Sequence, residues 1–531
     1  MSPPNPAAPP PRADSASQPE PSSRRVTWRE RQGVWRPGSV PVNTIVAGTR
    51  TLVRALVSFA LLPVLVDRIG AAPSGLFIFA TTVTGYFTAV EYGLATSVTK
   101  YVAEHRATGD AEQLGSVVRA SFILLAGLGL LIGTALALLG VVGGPALFGG
   151  AAIHGEVTPT LLVAGATAVF YWPSRIGTAA LEGLERYDLS AIIQMVSSVA
   201  TFALIYVGTE LTHSVATLTA LFGATLVLEG VAAGVLAWPA LGLRRGLGQW
   251  RGAHLRPVLG FGGGLFLIGL SDTFVYSLDR TIVAAFVGAA GIVVYEVALR
   301  PHNGVRLISG LIGAALVSTS SRLVAQQRGG WLRELALVGS LYSIVLTVPL
   351  VVLAMLLAHP IVVAWVGPAY GRHAVYVQIF LSYWLIGANT GVLSSAITGT
   401  GRIRVFVRIT VISSIVTLAL SIWLTSAWGT VGVIWGTVIP SWLGLPLWMH
   451  FALRHLGIPK ARYAREVLVV GYLPSAIWTV PVFLAERVLH PRSLPALAAF
   501  CVVALAALWL ALAPMLRARW RRMALGEAPG G

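Results

Sequence analysis

TIVAGTRTLVRALVSFALLPVLV, residues 44–66, is long and apolar enough to cross a bilayer, yet it carries Arg50 and Arg54. A hydrocarbon core of about 30 Å calls for about 20 apolar residues of helix. Runs of that kind recur along the whole chain. They centre near residues 54, 86, 128, 169, 199, 227, 267, 304, 345, 385, 414, 442, 476 and 505, which predicts about 14 transmembrane helices. The seventh and eighth are the weakest, since GFGGGLFLIGLSD (260–272) and VYEVALRPHNGVRLISG (294–310) carry glycine, proline and charge. Such interruptions persist in a membrane where the helix faces protein or water.

Composition agrees. The 531 residues are 55% apolar and 11% charged, with mean hydropathy +0.76, the signature of an all-α integral membrane protein. A net charge of +17 would suggest nucleic acid in a soluble chain. Here it follows from the distribution of arginine among the loops, and no nucleic-acid partner is implied. With the amino terminus inside, 28 of the 38 Lys and Arg fall in the two tails and the even-numbered loops, and 5 in the other loops. The remaining five are Arg50, Arg54, Arg175, Arg300 and Arg306, inside spans. This asymmetry places both termini in the cytoplasm. Residues 1–41 read as a disordered basic tail, rich in Pro, Ser and Ala and without the apolar core of a signal peptide. Cys501 is the only cysteine, so there is no intramolecular disulfide and no cysteine-based metal site. The loops between spans are too short for a folded catalytic domain, which argues against an enzyme and leaves no catalytic residue to name.

Three segment pairs recur at nearly one spacing. Gly70-Ala71-Ala72 matches Gly288-Ala289-Ala290, Val102-Ala103-Glu104 matches Val324-Ala325-Gln326, and Leu181-Glu182-Gly183 matches Ile397-Thr398-Gly399, at offsets of 218, 222 and 216. Their order predicts a six-helix duplication, parallel because six is even, with a cleft between the copies. The predicted organisation is an N-lobe over 42–240, a cytoplasmic linker over 241–256, a C-lobe over 257–455, two further helices over 456–516 and a tail over 517–531.

LDRTIVAAFVGAAGIVVYEVALR, residues 278–300, resembles the seventh-to-eighth helix signature of the polysaccharide flippase branch of the MOP exporter superfamily, with Asp279, Arg280, Gly288, Tyr295 and Arg300 in its places. RIGAAPSGLFIF (68–79), EYGLATSVTKYVAE (91–104), LEGLERY (181–187) and TGTGRI (398–403) are similar to further segments of that family, and the resemblance covers about residues 42–455. It implies a flippase in the bacterial cytoplasmic membrane. The cargo would be an undecaprenyl-diphosphate-linked oligosaccharide, turned from the inner to the outer leaflet for O-antigen, capsule or exopolysaccharide synthesis. Membrane lipids, a polymerase and glycosyltransferases are the implied partners, with no cofactor beyond a coupling proton or sodium ion. The rival readings are a lipid II flippase or other exporter of the superfamily and, in another class, a scaffold for polysaccharide-synthesis enzymes.

A sugar diphosphate crosses hydrocarbon only through a wet, cationic cleft. Arg50 and Arg54 share one helix face at i and i+4, and a start near residue 42 sets Arg54 about 18 Å deep, near the midplane. Arginine stays charged and grips phosphate oxygens with a two-pronged fork. Arg300, Arg306 and Arg175 are further cleft candidates. The repeat offset sets Arg54 opposite Asp272, which is therefore expected to pair with it when cargo is absent. Glu91 and Glu229 are intramembrane acids expected to partner an arginine or carry a coupling ion. Asp279 and Arg280 are expected near the outer interface in a structural role, and the glycines at 262–264 as a hinge or a close helix contact.

Overall fold

The computed structural model describes residues 40–84, 97–105, 108–144, 148, 153–241, 278–326, 329–400 and 404–524, and every regular element among them is helical. The first half supplies α1 (Val40–Ile69), α2 (Ala71–Thr84), α3 (Ala111–Leu138), α4 (His154–Gly183), α5 (Tyr187–Leu211) and α6 (Val215–Leu241). The second supplies α7 (278–287), α8 (Ala289–Ala325), α9 (Gly329–Leu356), the short α10 (Ala358–Val366), α11 (Ala374–Gly387), α12 (Thr390–Thr400), α13 (Arg404–Trp428) and α14 (Thr430–Leu456). Then come α15 (Val470–Leu489) and α16 (Leu494–Ala524). Eight of the described helices are long and apolar enough to cross a membrane. Not among the eight are α1, α4 and α8, the long helices that carry Arg50, Arg54, Arg175, Arg300 and Arg306. With α11 and α12 taken as one crossing and the short α10 set aside, the described helices follow the order of the fourteen predicted ones, the seventh being described only over 278–287. Nearly all of the predicted amino-terminal tail and linker, the glycines at 262–264, Glu91 and Asp272 lie outside the described residues.

The two matched glycines do one job. Gly70 and Gly288 adopt φ +86° and +91°, each separating two consecutive helices. Without a Cβ, glycine enters this left-handed region at no steric cost, and a tight break between apolar helices needs it. Other ends are capped locally: Asp110 accepts the backbone N–H of Gln113 at 3.0 Å to open α3, and Gly457 closes α14 at φ +67°.

Apolar packing between helices in lipid depends on close fit and small residues rather than on exclusion of water. One cluster runs across both halves, taking in Leu62, Phe77 and Trp172 from the first and Tyr295, Phe380 and Val433 from the second. Near the Gly70/Gly288 end, α2 meets α8 where Gly75 lies against the Ala289 backbone, so closely that a Cβ would collide with the carbonyl. Further along α1, the Trp365 indole donates to the Phe59 carbonyl at 3.0 Å and the two rings lie 4.9 Å apart. The last pair of helices rides on α9. Trp509 donates to the Val345 carbonyl at 3.1 Å, and Arg462 joins Glu334 at 2.6 Å and Glu466 at 3.0 Å. Large apolar side chains such as Leu131, Ile412, Val503 and Leu510 stay exposed on the outer faces, the inside-out pattern of a protein solvated by lipid.

Candidate functional site

A cavity of about 320 Å³ lies between α1, α2, α5 and α6 of the first half and α7 and α8 of the second. Among the described residues its charged lining is Arg54, Glu229, Arg280, Glu296 and Arg300, with hydroxyls from Ser58, Thr81, Ser197 and Thr201 between them. Two buried carboxylates organise it. The Glu229 side chain, 2% exposed, accepts from Arg175 Nη1 at 3.0 Å and from Arg54 Nη2 at 3.4 Å. Glu296, 4% exposed, accepts from Arg280 Nε at 2.6 Å and from Arg300 Nε at 3.0 Å. Arg300 also donates to the Ser58 carbonyl, which ties α8 to α1 across the halves.

A charge buried away from water is tolerated when it is paired and hydrogen-bonded. Each carboxylate here neutralises one guanidinium of the two it holds. Among the described residues that line the cavity, three guanidiniums face two carboxylates, so this lining leans positive. The guanidiniums differ in how free they are to take an anion: the Arg54 side chain is 45% exposed, whereas Arg280 and Arg300 are 15% and 10% exposed. Arg175, 14% exposed, is held further by Thr178 at 3.4 Å and lies 5.7 Å over the Tyr171 ring. Arg54 is thus the member with room to turn toward a ligand.

The predicted site residues sort as follows. Arg54, Arg175 and Glu229 come together in one triad, and Arg300 in the other. Arg50 sits 3.7 Å from Glu182 toward the amino-terminal end of α1, away from the cavity lining. Arg306 is half-buried on α8 and also outside that lining. The described carboxylate against Arg54 is Glu229 on α6 of its own half; the expected pairing with Asp272 lies outside the described residues. One expectation is corrected. Arg280 is not an interfacial structural residue, for it lines the cavity; Asp279 beside it is buried and accepts from Tyr295 at 2.8 Å and Thr437 at 3.2 Å. Glu296 was missed altogether, although its i, i+4 spacing to Arg300 is a readable helix-pair signal. Among the described residues no group of three or more His, Cys, Asp or Glu is placed to hold a metal.

A sequence profile of the family described as "polysaccharide biosynthesis protein" matches residues 128–374. No curated protein matches. Among solved structures, the lipid II flippase MurJ in an inward closed conformation superposes with a TM-score of 0.67 at 14% identity, covering 89% of this chain and 100% of that one. An inward-facing multidrug-resistance MATE transporter of the MOP superfamily gives 0.60 at 16%, covering 77% and 94%. A MOP-superfamily transporter from Pyrococcus furiosus gives 0.54 at 16%, covering 79% and 96%. Identities this low speak to fold, and the fold is that of the MOP superfamily, as the sequence resemblance implied.

Proposed function

From the MOP-superfamily fold we propose that this chain is a flippase for a lipid-linked oligosaccharide, moving an undecaprenyl-diphosphate-linked sugar chain from the inner to the outer leaflet for surface polysaccharide synthesis. One observation carries the reading: among the described residues the charged lining of an intramembrane cavity is three arginines and two buried glutamates, with Arg175 held behind Glu229. A diphosphate bridging lipid and sugar carries two negative charges. The family match over residues 128–374 supports the polysaccharide context.

Arg54 is the proposed first contact for the diphosphate, with Arg280 and Arg300 completing the cradle, while Glu229 and Glu296 hold the guanidiniums in place when cargo leaves. The lipid tail stays in the bilayer and the sugars travel through the polar space. The loop charges put the Gly70/Gly288 end outside, so α2 and α8 close the outer side. Reopening there while the other end closes would release cargo to the outer leaflet by rocking of the two halves. A proton or sodium gradient is the proposed driving force, and no cofactor enters. Movement of a fluorescent lipid-linked sugar by the full-length protein in liposomes tests the reading. Arg54→Ala is expected to lower the rate at least about tenfold, since a charge-assisted hydrogen bond contributes about 1.5–3 kcal/mol. Wild-type protein that moves no such lipid would refute the assignment.

A lipid II flippase is the second reading, since the same fold is found in MurJ. Depleting the protein separates the two: lysis identifies peptidoglycan precursor as cargo, and loss of surface polysaccharide with intact walls identifies the first reading.

A further inference from the structure

A second cavity, about 260 Å³, lies between α11–α12, α13 and α14. Its described lining contains no charged residue. Instead it is dense in hydroxyls, and they follow helix faces. On α13, Thr410, Ser413, Ser414 and Thr417 recur at i, i+3, i+4 and i+7, one stripe of the helix. Ile412 and Ile415, each 62% exposed, occupy the opposite, lipid-facing side. Thr390 and Ser394 of α12 and Thr437 and Ser441 of α14 face the same space at i, i+4.

Hydroxyls in a membrane interior are costly unless bonded. Some meet that cost close by: Thr410 and Ser441 donate to carbonyls of their own helices at 2.9 and 2.7 Å, and Thr390 to the Gly387 carbonyl at the end of α11 at 2.7 Å. Ser394, Ser413, Ser414 and Thr417 have no hydrogen-bond partner among the described residues, although Thr417 is only 5% exposed. Each can donate and accept, which is what the hydroxyls of a sugar ring require of their surroundings. Tyr383 and Trp448 add aromatic surface to the same wall, suited to the apolar face of a pyranose. Pockets for drug-sized ligands run from about 300 to 1,000 Å³. At 260 Å³ this cavity suits about one ring.

The two cavities are built back to back on consecutive residues. Arg280 and Glu296 line the arginine cavity, while their neighbours Asp279 and Tyr295 bond to each other, and Asp279 to Thr437 of the hydroxyl cavity. One diphosphate and its first sugars therefore have adjacent chambers of matching chemistry. We propose that the hydroxyl cavity binds a neutral sugar ring of the lipid-linked cargo while the arginine cavity holds its diphosphate, an assignment that rests on the flippase reading above.

The test compares two probes on the full-length protein in detergent: undecaprenyl diphosphate, and lipid-linked oligosaccharide extracted from the native membranes. Wild type is expected to bind the sugar-bearing lipid about tenfold more tightly than the bare diphosphate. The triple variant Ser413→Ala, Ser414→Ala, Thr417→Val removes hydroxyls with little change in shape, and Ser414→Leu fills the space. Both are expected to keep bare-diphosphate affinity within about twofold, which also certifies folding, and to lose the sugar increment. Retention of that increment in both variants overturns the sugar assignment, as does equal affinity of wild type for the two probes. An increment untouched by the variants while a sodium dependence of binding disappears would make the cavity a cation site and overturn it likewise. Failure of wild type to bind either lipid, or Arg54→Ala binding both as wild type does, would instead bring down the flippase reading, and this inference with it.

Discussion

Glu229 is the residue on which the first triad turns. Its carboxylate, 2% exposed, faces two guanidiniums on two other helices, so its removal takes from Arg175, buried against Tyr171, the carboxylate that holds it at 3.0 Å. Breaking a buried pair from one side costs roughly 3–5 kcal/mol, more than the pair contributes net. Glu229→Ala should therefore lower the thermal unfolding temperature clearly, whereas Arg175→Ala with Glu229→Ala should recover part of the loss. The double-mutant cycle should show a coupling of about 0.5–3 kcal/mol; strictly additive losses would remove Glu229 from the centre of the triad. The sequence made Arg54, Arg175 and Glu229 visible because a charge inside an apolar run stands out against its neighbours. It did not single out Glu229 as the acid beside Arg54, because a repeat offset relates equivalent positions and says nothing about which neighbour within a half is near. Arg280 was misplaced for a related reason: counted as a loop charge by its nearness to Gly288, it sits on a helix with its guanidinium turned to the cavity.

At the scale of elements, the breaks written in backbone chemistry were legible and those imposed by packing were not. The paired glycines at 70 and 288 announce themselves because a positive φ asks for glycine. The turn at residues 388–389 between α11 and α12 gives no such sign, for hydropathy runs on through Trp384–Val392. Tertiary bonds hold it: Asn389 donates to the Tyr463 hydroxyl, and Ser343 and Ser309 donate to the Ala388 carbonyl. The contact between α2 and α8 is likewise a packing fact, and it makes a prediction about cycling. If the outer end must close by bringing Gly75 onto the Ala289 backbone, then Gly75→Leu should wedge it open. Transport in liposomes should fall at least about tenfold while undecaprenyl diphosphate binding in detergent stays within about twofold, separating the cycle from the site. Normal transport by Gly75→Leu would show that this closure is not on the path.

For the molecule as a whole, direction depends on orientation, and orientation rests on charge. The inside assignment gathers 28 of the 38 basic residues into the tails and even-numbered loops, which attract the cytoplasmic side of the membrane. The consequence reaches the proposed function: on that assignment the end where α2 meets α8 is outer, and the proposed flippase would take its cargo from the inner leaflet. Cys501, the only cysteine, makes the orientation measurable once it is replaced, because any introduced thiol is then unique. In a Cys501→Ala background, Ser493→Cys lies in the exposed connection between α15 and α16, and Lys460→Cys at the exposed start of the helical stretch that follows α14 and leads into α15. A membrane-impermeant maleimide should label the cysteine at 493 in intact cells and the one at 460 only in inside-out vesicles. The reverse pattern would turn the protein over, make the α2–α8 contact an inner gate, and convert the proposed exporter of lipid-linked sugar into a carrier working toward the cytoplasm.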